Sequence, residues 1–173
     1  ISRLWISMHE KDFEKSKQLV NDAKDINPYE PFLLATIGFY YVFSDSPEPE
    51  LRRQYIEKAI NYNSKPQFWY YMALEEYYML KNDFQKALEL SLKSPELEWR
   101  TPAYHWILGD KDIALKKFKE YSSKNPSRAE FIKKELGKDK DSKALYLSSN
   151  PIFEKASKDL LQAYLELESE SKE

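Results

Sequence analysis

Residues 68–92 have the sequence FWYYMALEEYYMLKNDFQKALELSL. The apolar residues of the first half recur at helical spacing in two stripes, which leaves only a narrow polar edge near Glu75. One stripe comprises Tyr71, Leu74 and Tyr78, and the other comprises Trp69, Met72, Glu76 and Met79. The second half predicts another helix, with apolar or small residues at Phe84, Ala87, Leu88 and Ser91. A turn at Asn82 and Asp83 would join the two helices into a hairpin that needs neighbours on two sides.

The composition favours one all-α domain spanning residues 1–173. The chain is 42% hydrophobic and 15% aromatic, which suffices for a packed core, and it has only three Gly and no alternating β-branched runs. A formal charge of -2 gives no electrostatic footprint for nucleic acid. The absence of Cys is typical of the cytoplasm, and the longest apolar stretch, Pro31 to Phe43, is too short to span a membrane. Because the chain opens at Ile1 within a helical pattern, we interpret it as a fragment of a longer protein.

Prolines and polar clusters predict the limits of the other helices. One helix should run from Pro31 to Phe43, with Gly38 in its middle where a neighbouring backbone would come close. The next should be capped by Ser46 and run to about Tyr62. Asp110 should cap a helix over residues 111–123 with the apolar face Ile113, Ala114, Phe118 and Tyr121. The last helix should follow Pro151, with its apolar face formed by Ile152, Phe153, Ala156, Leu160, Leu161, Tyr164 and Leu165, and should end in a frayed tail at residues 167–173.

The second helices of the hairpins align at separations of 36, 35 and 27 residues, a period near 34 in which the third repeat lacks about two turns of its first helix. Ser16, Arg52, Ala87 and Ala114 occupy like places in them. This pattern resembles the tetratricopeptide repeat, which implies a right-handed stack of about three helical hairpins closed by a C-terminal capping helix. Glu75 and Arg52 depart from the pattern, because that family has small residues at both places.

A second resemblance covers about residues 27–165. It rests on NPYEPFLLATIGFYY, on AINYNSKPQFWYYMALEEYYMLKNDFQKALEL, on the segment from Glu98 to Leu136 and on NPIFEKASKDLLQAYL. These segments are similar to the C-terminal repeat region of bacterial class III adenylate and guanylate cyclases and of some winged-helix transcription regulators. The resemblance implies a regulatory or partner-binding module in a bacterial signalling or transcription-regulating protein. The matching segments contain no residue of a cyclase active site.

The residue types needed for catalysis or metal binding do not occur together. His9 and His105 are far apart, and neither belongs to a metal-binding motif. Glu75 and Glu76 are adjacent on a helix and point about 100° apart, so they cannot flank one bond as an acid and base pair. There is no phosphate-binding Gly-rich loop and no nucleophile motif. We therefore expect no enzyme activity and no cofactor.

The remaining candidate is the face of each first helix that would line the concave side of a repeat stack. Its partner-binding residues are Phe32, Phe39, Trp69, Met72, Glu76, Met79, Trp99 and Trp106, here called the aromatic stripe. Aromatic and Met side chains suit a peptide or protein segment, which could be another domain of the parent chain. Alternatives are a homodimer formed through the stripe and, more remotely, a small-molecule sensor. A competing hypothesis is that these residues are core and that the final helix fills the groove.

Overall fold

The computed structural model describes residues 6, 7, 10, 12–43, 48–136 and 150–170. Within these ranges the secondary structure is helical and contains no strand, so the all-α prediction is confirmed. A short 3₁₀ turn at Pro95–Leu97 accompanies the α-helices. The helices are α1 (Phe13–Ile26), α2 (Pro31–Phe43), α3 (Pro49–Tyr62), α4 (Phe68–Leu80), α5 (Phe84–Ser91), α6 (Thr101–Leu108), α7 (Lys111–Lys124), α8 (Pro126–Leu136) and α9 (Pro151–Glu170).

Local chemistry explains where most helices begin. Four of them, α2, α3, α8 and α9, start at a proline, whose fixed φ suits the first helical position and whose missing N–H is not needed there. Asp12 and Asp83 cap α1 and α5 by accepting bonds from Lys15 N and Lys86 N, both at 3.2 Å. The predicted turn at Asn82 and Asp83 is confirmed, and Asn82 adopts the left-handed φ of 59°.

The chain forms two compact units, Ile1–Tyr77 and Tyr78–Glu173. Whether they act as the single domain expected from the composition stays a prediction. In unit 1, α2 packs on α1 and α3 around a core of Val20, Leu33, Ile37 and Tyr40. Gly38 allows α3 to lie close to α2, since a Cβ added at Gly38 would lie 2.6 Å from Ile56 Cδ1 and 3.3 Å from the Arg52 carbonyl oxygen. The predicted reason for Gly38 is therefore confirmed, although a side chain lies nearer than the backbone.

Unit 2 has two core clusters that α9 completes. The first comprises Met79, Phe84, Ala87, Leu88, Ala103, Tyr104 and Phe153. The second comprises Ala114, Phe118, Leu160, Leu161 and Tyr164. Helix α9 contacts α6, α7 and α8, and so supplies apolar side chains to both clusters. The right-handed repeat stack stays a prediction.

Several residue-level expectations are wrong. Glu75 is completely buried and does not mark a polar edge, because periodicity defines the faces of a helix but not which of them its neighbours cover. Ile113, Ile152 and Leu165 lie at the margins of their predicted apolar faces and are 45–46% exposed. Asp110 precedes α7, but its side chain makes no cap bond and instead lies 3.3 Å from His105 Nδ1.

Two further expectations concern helix ends. Helix α3 begins at Pro49 after Glu48, and the proposed cap Ser46 lies outside the described residues. Helix α9 continues to Glu170, whereas the sequence predicts fraying from residue 167. Its last turns are supported by side-chain bonds from Tyr164 Oη to Glu168 at 2.6 Å and from Ser169 Oγ to the Glu166 carbonyl oxygen at 2.7 Å. Residues 171–173 lie outside the described residues.

Candidate partner-binding surface

Trp69 lies between two phenylalanine rings of α2. The centroid of its ring is 5.5 Å from that of Phe32 and 5.2 Å from that of Phe39, with both pairs packed edge to face. Phe32 and Phe39 are two helical turns apart on α2, so the indole of α4 fits between them. All three rings are partly exposed. Three residues of the aromatic stripe therefore meet in unit 1 as a cluster that is open to solvent.

Met72 and Glu76 extend this cluster along α4. They follow Trp69 at positions i+3 and i+7, which places them on the same helical face, and both are partly exposed. Phe32, Phe39, Trp69 and Met72 are together called the α2–α4 patch below. Tyr70 lies behind the patch with its ring centroid 4.3 Å from that of Trp69, and burial raises the pKa of its phenol. The patch is thus apolar, with one carboxylate at its end.

That carboxylate is held by a buried arginine. Arg52 of α3 is 5% exposed, and its Nη2 donates to Glu76 Oε2 at 2.9 Å and to the Ala73 carbonyl oxygen at 2.8 Å. The Glu76 side chain remains 35% exposed. Sequence reasoning missed the role of Arg52. The sequence did contain a sign of this ion pair. Arg52 stands where the repeat pattern has a small residue, and α4 contains two carboxylates that could pair with it, Glu75 and Glu76.

The prediction that Met79 belongs to the partner-binding surface is wrong. Its side chain is 0% exposed and belongs to the first core cluster of unit 2. The spacing that joins Met79 to Trp69 and Met72 holds along a straight helix, but solvent does not reach every residue of a helical face. Met79 is therefore not part of an accessible surface.

Trp99 and Trp106, the remaining stripe residues of unit 2, are partly exposed and lie beside cations. The Arg100 guanidinium carbon is 5.0 Å from the Trp99 ring centroid, and Lys111 Nζ is 5.1 Å from that of Trp106. Trp106 also packs against the second core cluster. Both rings thus contribute to packing within unit 2, and they are partly exposed, as Trp69 is in unit 1.

In unit 2 the final helix, α9, packs against α6, the helix that carries Trp106. Phe153 of α9 packs against Tyr104 of α6, with ring centroids 4.9 Å apart. A small cavity of about 20 Å³ lies beside the two helices. It is lined by Trp99, Ala103, Phe118, Ile132, Phe153, Ser157 and Leu160. An amphipathic helix of this chain therefore occupies the face of α6.

A cleft of mixed polarity in unit 2 was not predicted from the sequence. Its volume is about 320 Å³, and it opens where α5 ends and α6 begins. Its lining is Ser91, Leu92, Ser94, Pro95, Glu98, Thr101, Lys117 and Glu120. These side chains come from separated segments without a shared spacing, so no sequence pattern marked them. The buried hydroxyls of Ser91 and Thr101 bond to each other at 3.1 Å.

The described residues contain no cluster of three or more His, Asp or Glu side chains that could hold a metal ion. Of the adjacent Glu75 and Glu76, the first is buried and the second is bonded to Arg52. None of the helices in the described part of the chain combines the length and apolar character needed to cross a membrane.

The chain matches no protein-family model, no curated protein and no solved structure.

Proposed function

We propose that this chain is a non-catalytic regulatory module that binds a peptide segment of another protein or domain through the α2–α4 patch. The observation that carries the proposal is the open packing of Trp69 between Phe32 and Phe39. Rigid aromatic rings at a partly exposed surface provide large contact area at a low cost in conformational entropy. They are the side chains that most often anchor protein partners.

The exposure of the patch distinguishes it from the core of the same unit. Val20 and Ile37 of that core are each 1% exposed, whereas every residue of the patch is partly exposed. If these side chains served packing alone, we would expect neighbouring elements to cover them. Each Å² of apolar surface left in water loses about 25 cal/mol of stabilising free energy. A solvent-accessible aromatic cluster on otherwise well-packed helices favours a role in binding.

The wider setting rests on two features of the sequence. The likeness to the C-terminal repeat region of bacterial class III cyclases and winged-helix transcription regulators supports a module of a bacterial signalling or transcription-regulating protein, and the absence of Cys favours the cytoplasm. In this setting the partner is a segment of the parent chain or of a second protein. Self-association through the patch is the alternative, and the mixed-polarity cleft of unit 2 is where a small-molecule sensor would hold its ligand.

Truncating Trp69 tests the proposal. The full chain is used to select binders from a random 16-residue peptide library displayed on phage, and the selected peptides are then measured by calorimetry. Trp69→Ala should weaken binding about 30-fold, which corresponds to about 2 kcal/mol for an aromatic anchor. Phe68→Ala is the matched control, because Phe68 is the adjacent aromatic residue, is 44% exposed and lies about 100° away around the helix.

Two results would overturn the proposal. The first is a selection that enriches no peptide for the full chain over its Trp69→Ala variant. The second is a Trp69→Ala protein whose melting temperature collapses as expected for a buried aromatic residue, which typically costs about 3–5 kcal/mol. In that case the patch would be core, and the aromatic stripe would have no binding role in unit 1.

A further inference from the structure

We infer that the peptide recognised by the α2–α4 patch carries a Lys or Arg side chain that binds the Glu76 carboxylate. This inference rests on the proposed function, because Glu76 adjoins the patch and acts only on a partner seated there. It adds a charge requirement to a surface that would otherwise accept any apolar segment.

Helices α2 and α4 contribute one accessible charged group to the face. Helix α2 contains no Asp, Glu, Lys or Arg, and the only such residues of α4 are Glu75 and Glu76. Glu75 is completely buried, whereas the Glu76 side chain is 35% exposed. A partner lying along these two helices therefore meets an apolar surface on which Glu76 is the one accessible charged group that α2 and α4 themselves supply. The Glu30 carboxylate, which precedes α2, accepts bonds from Phe32 N and Leu33 N at the other end of the patch.

The geometry of the Arg52 pair leaves room for a second cation. Arg52 bonds to the carboxylate through Glu76 Oε2, and Glu76 Oε1 accepts no hydrogen bond in the part of the chain that the structure describes. A carboxylate can accept about four hydrogen bonds through its two oxygens. Because Arg52 is 5% exposed, it approaches Glu76 from the protein side and leaves the outer side of the carboxylate to the partner.

Arg52 also fixes where the carboxylate lies. Its guanidinium is itself held by the Ala73 carbonyl oxygen, so the Glu76 side chain is kept in one position beside the patch. A charge held in place loses less conformational entropy on binding than a mobile one, which favours recognition. Arg52 is thus a positioning residue for Glu76.

The spacing on α4 sets the spacing in the partner. Trp69 and Glu76 are seven residues apart on the helix, which is roughly 10 Å at 1.5 Å per residue. The apolar anchor and the cation of the peptide must span this distance. They should be about seven residues apart in a helical peptide or about three apart in an extended one.

The test compares three proteins in parallel selections from the same 16-residue phage library. The full chain and its Glu57→Gln variant should enrich peptides in which Lys or Arg recurs at a fixed distance from an aromatic or large aliphatic residue. Glu76→Gln should lose the basic residue and keep the apolar one. Glu57 is the matched control, since it also pairs with an arginine, Arg53, and its side chain is also 35% exposed. The amide oxygen that Glu76→Gln introduces can still accept the Arg52 bond, so the fold should be kept.

Binding of one selected peptide gives a second measurement. Glu76→Gln should weaken it on the order of tenfold and reduce its dependence on salt, as expected when a charge pair is removed. Replacing the peptide's Lys by norleucine should have the same effect without changing the protein, and should have no added effect in the Glu76→Gln background.

Different results separate the two hypotheses. Selected peptides without a basic residue, or the same basic residue enriched by Glu76→Gln, would overturn this inference and leave peptide binding intact. Failure of the full chain to enrich any peptide over Trp69→Ala would instead overturn the proposed function.

Discussion

Tyr164 of α9 combines an apolar ring environment with a charged partner for its hydroxyl. Its ring packs edge to face against Phe118 with centroids 4.9 Å apart, and its Oη donates to Glu168 Oε1 at 2.6 Å. Burial, together with the hydrogen bond to the Glu168 carboxylate, raises the pKa of Tyr164 to about 12. The folded protein therefore holds the phenol proton more tightly than the unfolded chain, in which the pKa is about 10.

This difference predicts a loss of stability at high pH. The contribution of Tyr164 is fully present below about pH 10 and is lost as the pH rises from about 10 to about 12, because the unfolded chain then binds fewer protons than the folded one. Tyr164→Phe should make the fall in the free energy of unfolding over this range less steep, as measured by urea denaturation at several pH values. Tyr29→Phe, at a 68% exposed position, should leave the slope unchanged. An unchanged slope in Tyr164→Phe would contradict the raised pKa.

Single residues were predictable from the sequence where their own backbone chemistry decided the outcome. Asn82 and Gly109 adopt positive φ at turns, as expected for these residue types. Asp83 caps a helix for a similarly local reason. Arg52 and Glu75 were noticed only as departures from a repeat, because their burial depends on which helices pack around α4.

At the scale of elements, Asn150 links the start of α9 to the turn between α4 and α5. Its Oδ1 accepts bonds from Ile152 N at 2.9 Å and Phe153 N at 3.1 Å, which caps the helix. Its Nδ2 donates to the Met79 carbonyl oxygen at 2.7 Å and to Asn82 Oδ1 at 2.9 Å. Asn150 is 5% exposed, so these bonds are sheltered from water. One side chain thus positions α9 where Phe153 enters the first core cluster.

Removing this side chain should destabilise the protein more than removing an ordinary cap. We expect Asn150→Ala to lower the free energy of unfolding by about 2 kcal/mol. Loss of the helix cap should account for about 1 kcal/mol, and loss of the buried bonds to the turn for about 1 kcal/mol. Asn150→Ser, which keeps a capping oxygen, should lose about half as much. Urea denaturation followed by circular dichroism measures both. The control is Asn125→Ala, because the one side-chain bond of Asn125 among the described residues is local, at 3.4 Å to the Tyr121 carbonyl oxygen. Equal losses in the two alanine variants would refute the linking role.

The limits of the elements followed from the sequence more closely than their packing did. The predicted limits of α2 are confirmed, since Pro31 fixes its start. The face of a helix that meets its neighbours was harder to predict. Met79 and Trp69 share a stripe at helical spacing, yet Met79 is core and Trp69 is partly exposed. Periodicity alone could not separate them, because the difference arises from long-range packing, which places Met79 in the same core cluster as Phe153.

At the scale of the whole molecule, the question is whether the α2–α4 patch meets a peptide or a second copy of the chain. A stable protein interface buries about 800 Å² on each partner. Large side chains such as these bury about 150–250 Å² each when fully covered, so four that are only partly exposed offer roughly 300 Å². This area suits the anchors of a short peptide. It is well below what a stable dimer needs.

We therefore expect the chain to stay monomeric in solution. Size-exclusion chromatography with light scattering should give a mass near 20.6 kDa over a wide range of protein concentration. Trp69→Ala should leave that mass unchanged while it weakens peptide binding, because the patch would contact only the peptide. A mass that rises towards twice this value with concentration, and that returns to the monomer value in Trp69→Ala, would assign the patch to a symmetric dimer. The selected peptides would then have to compete with dimer formation. The control is Trp106→Ala, which alters a ring that packs within unit 2. This variant should dimerise as the unmodified chain does.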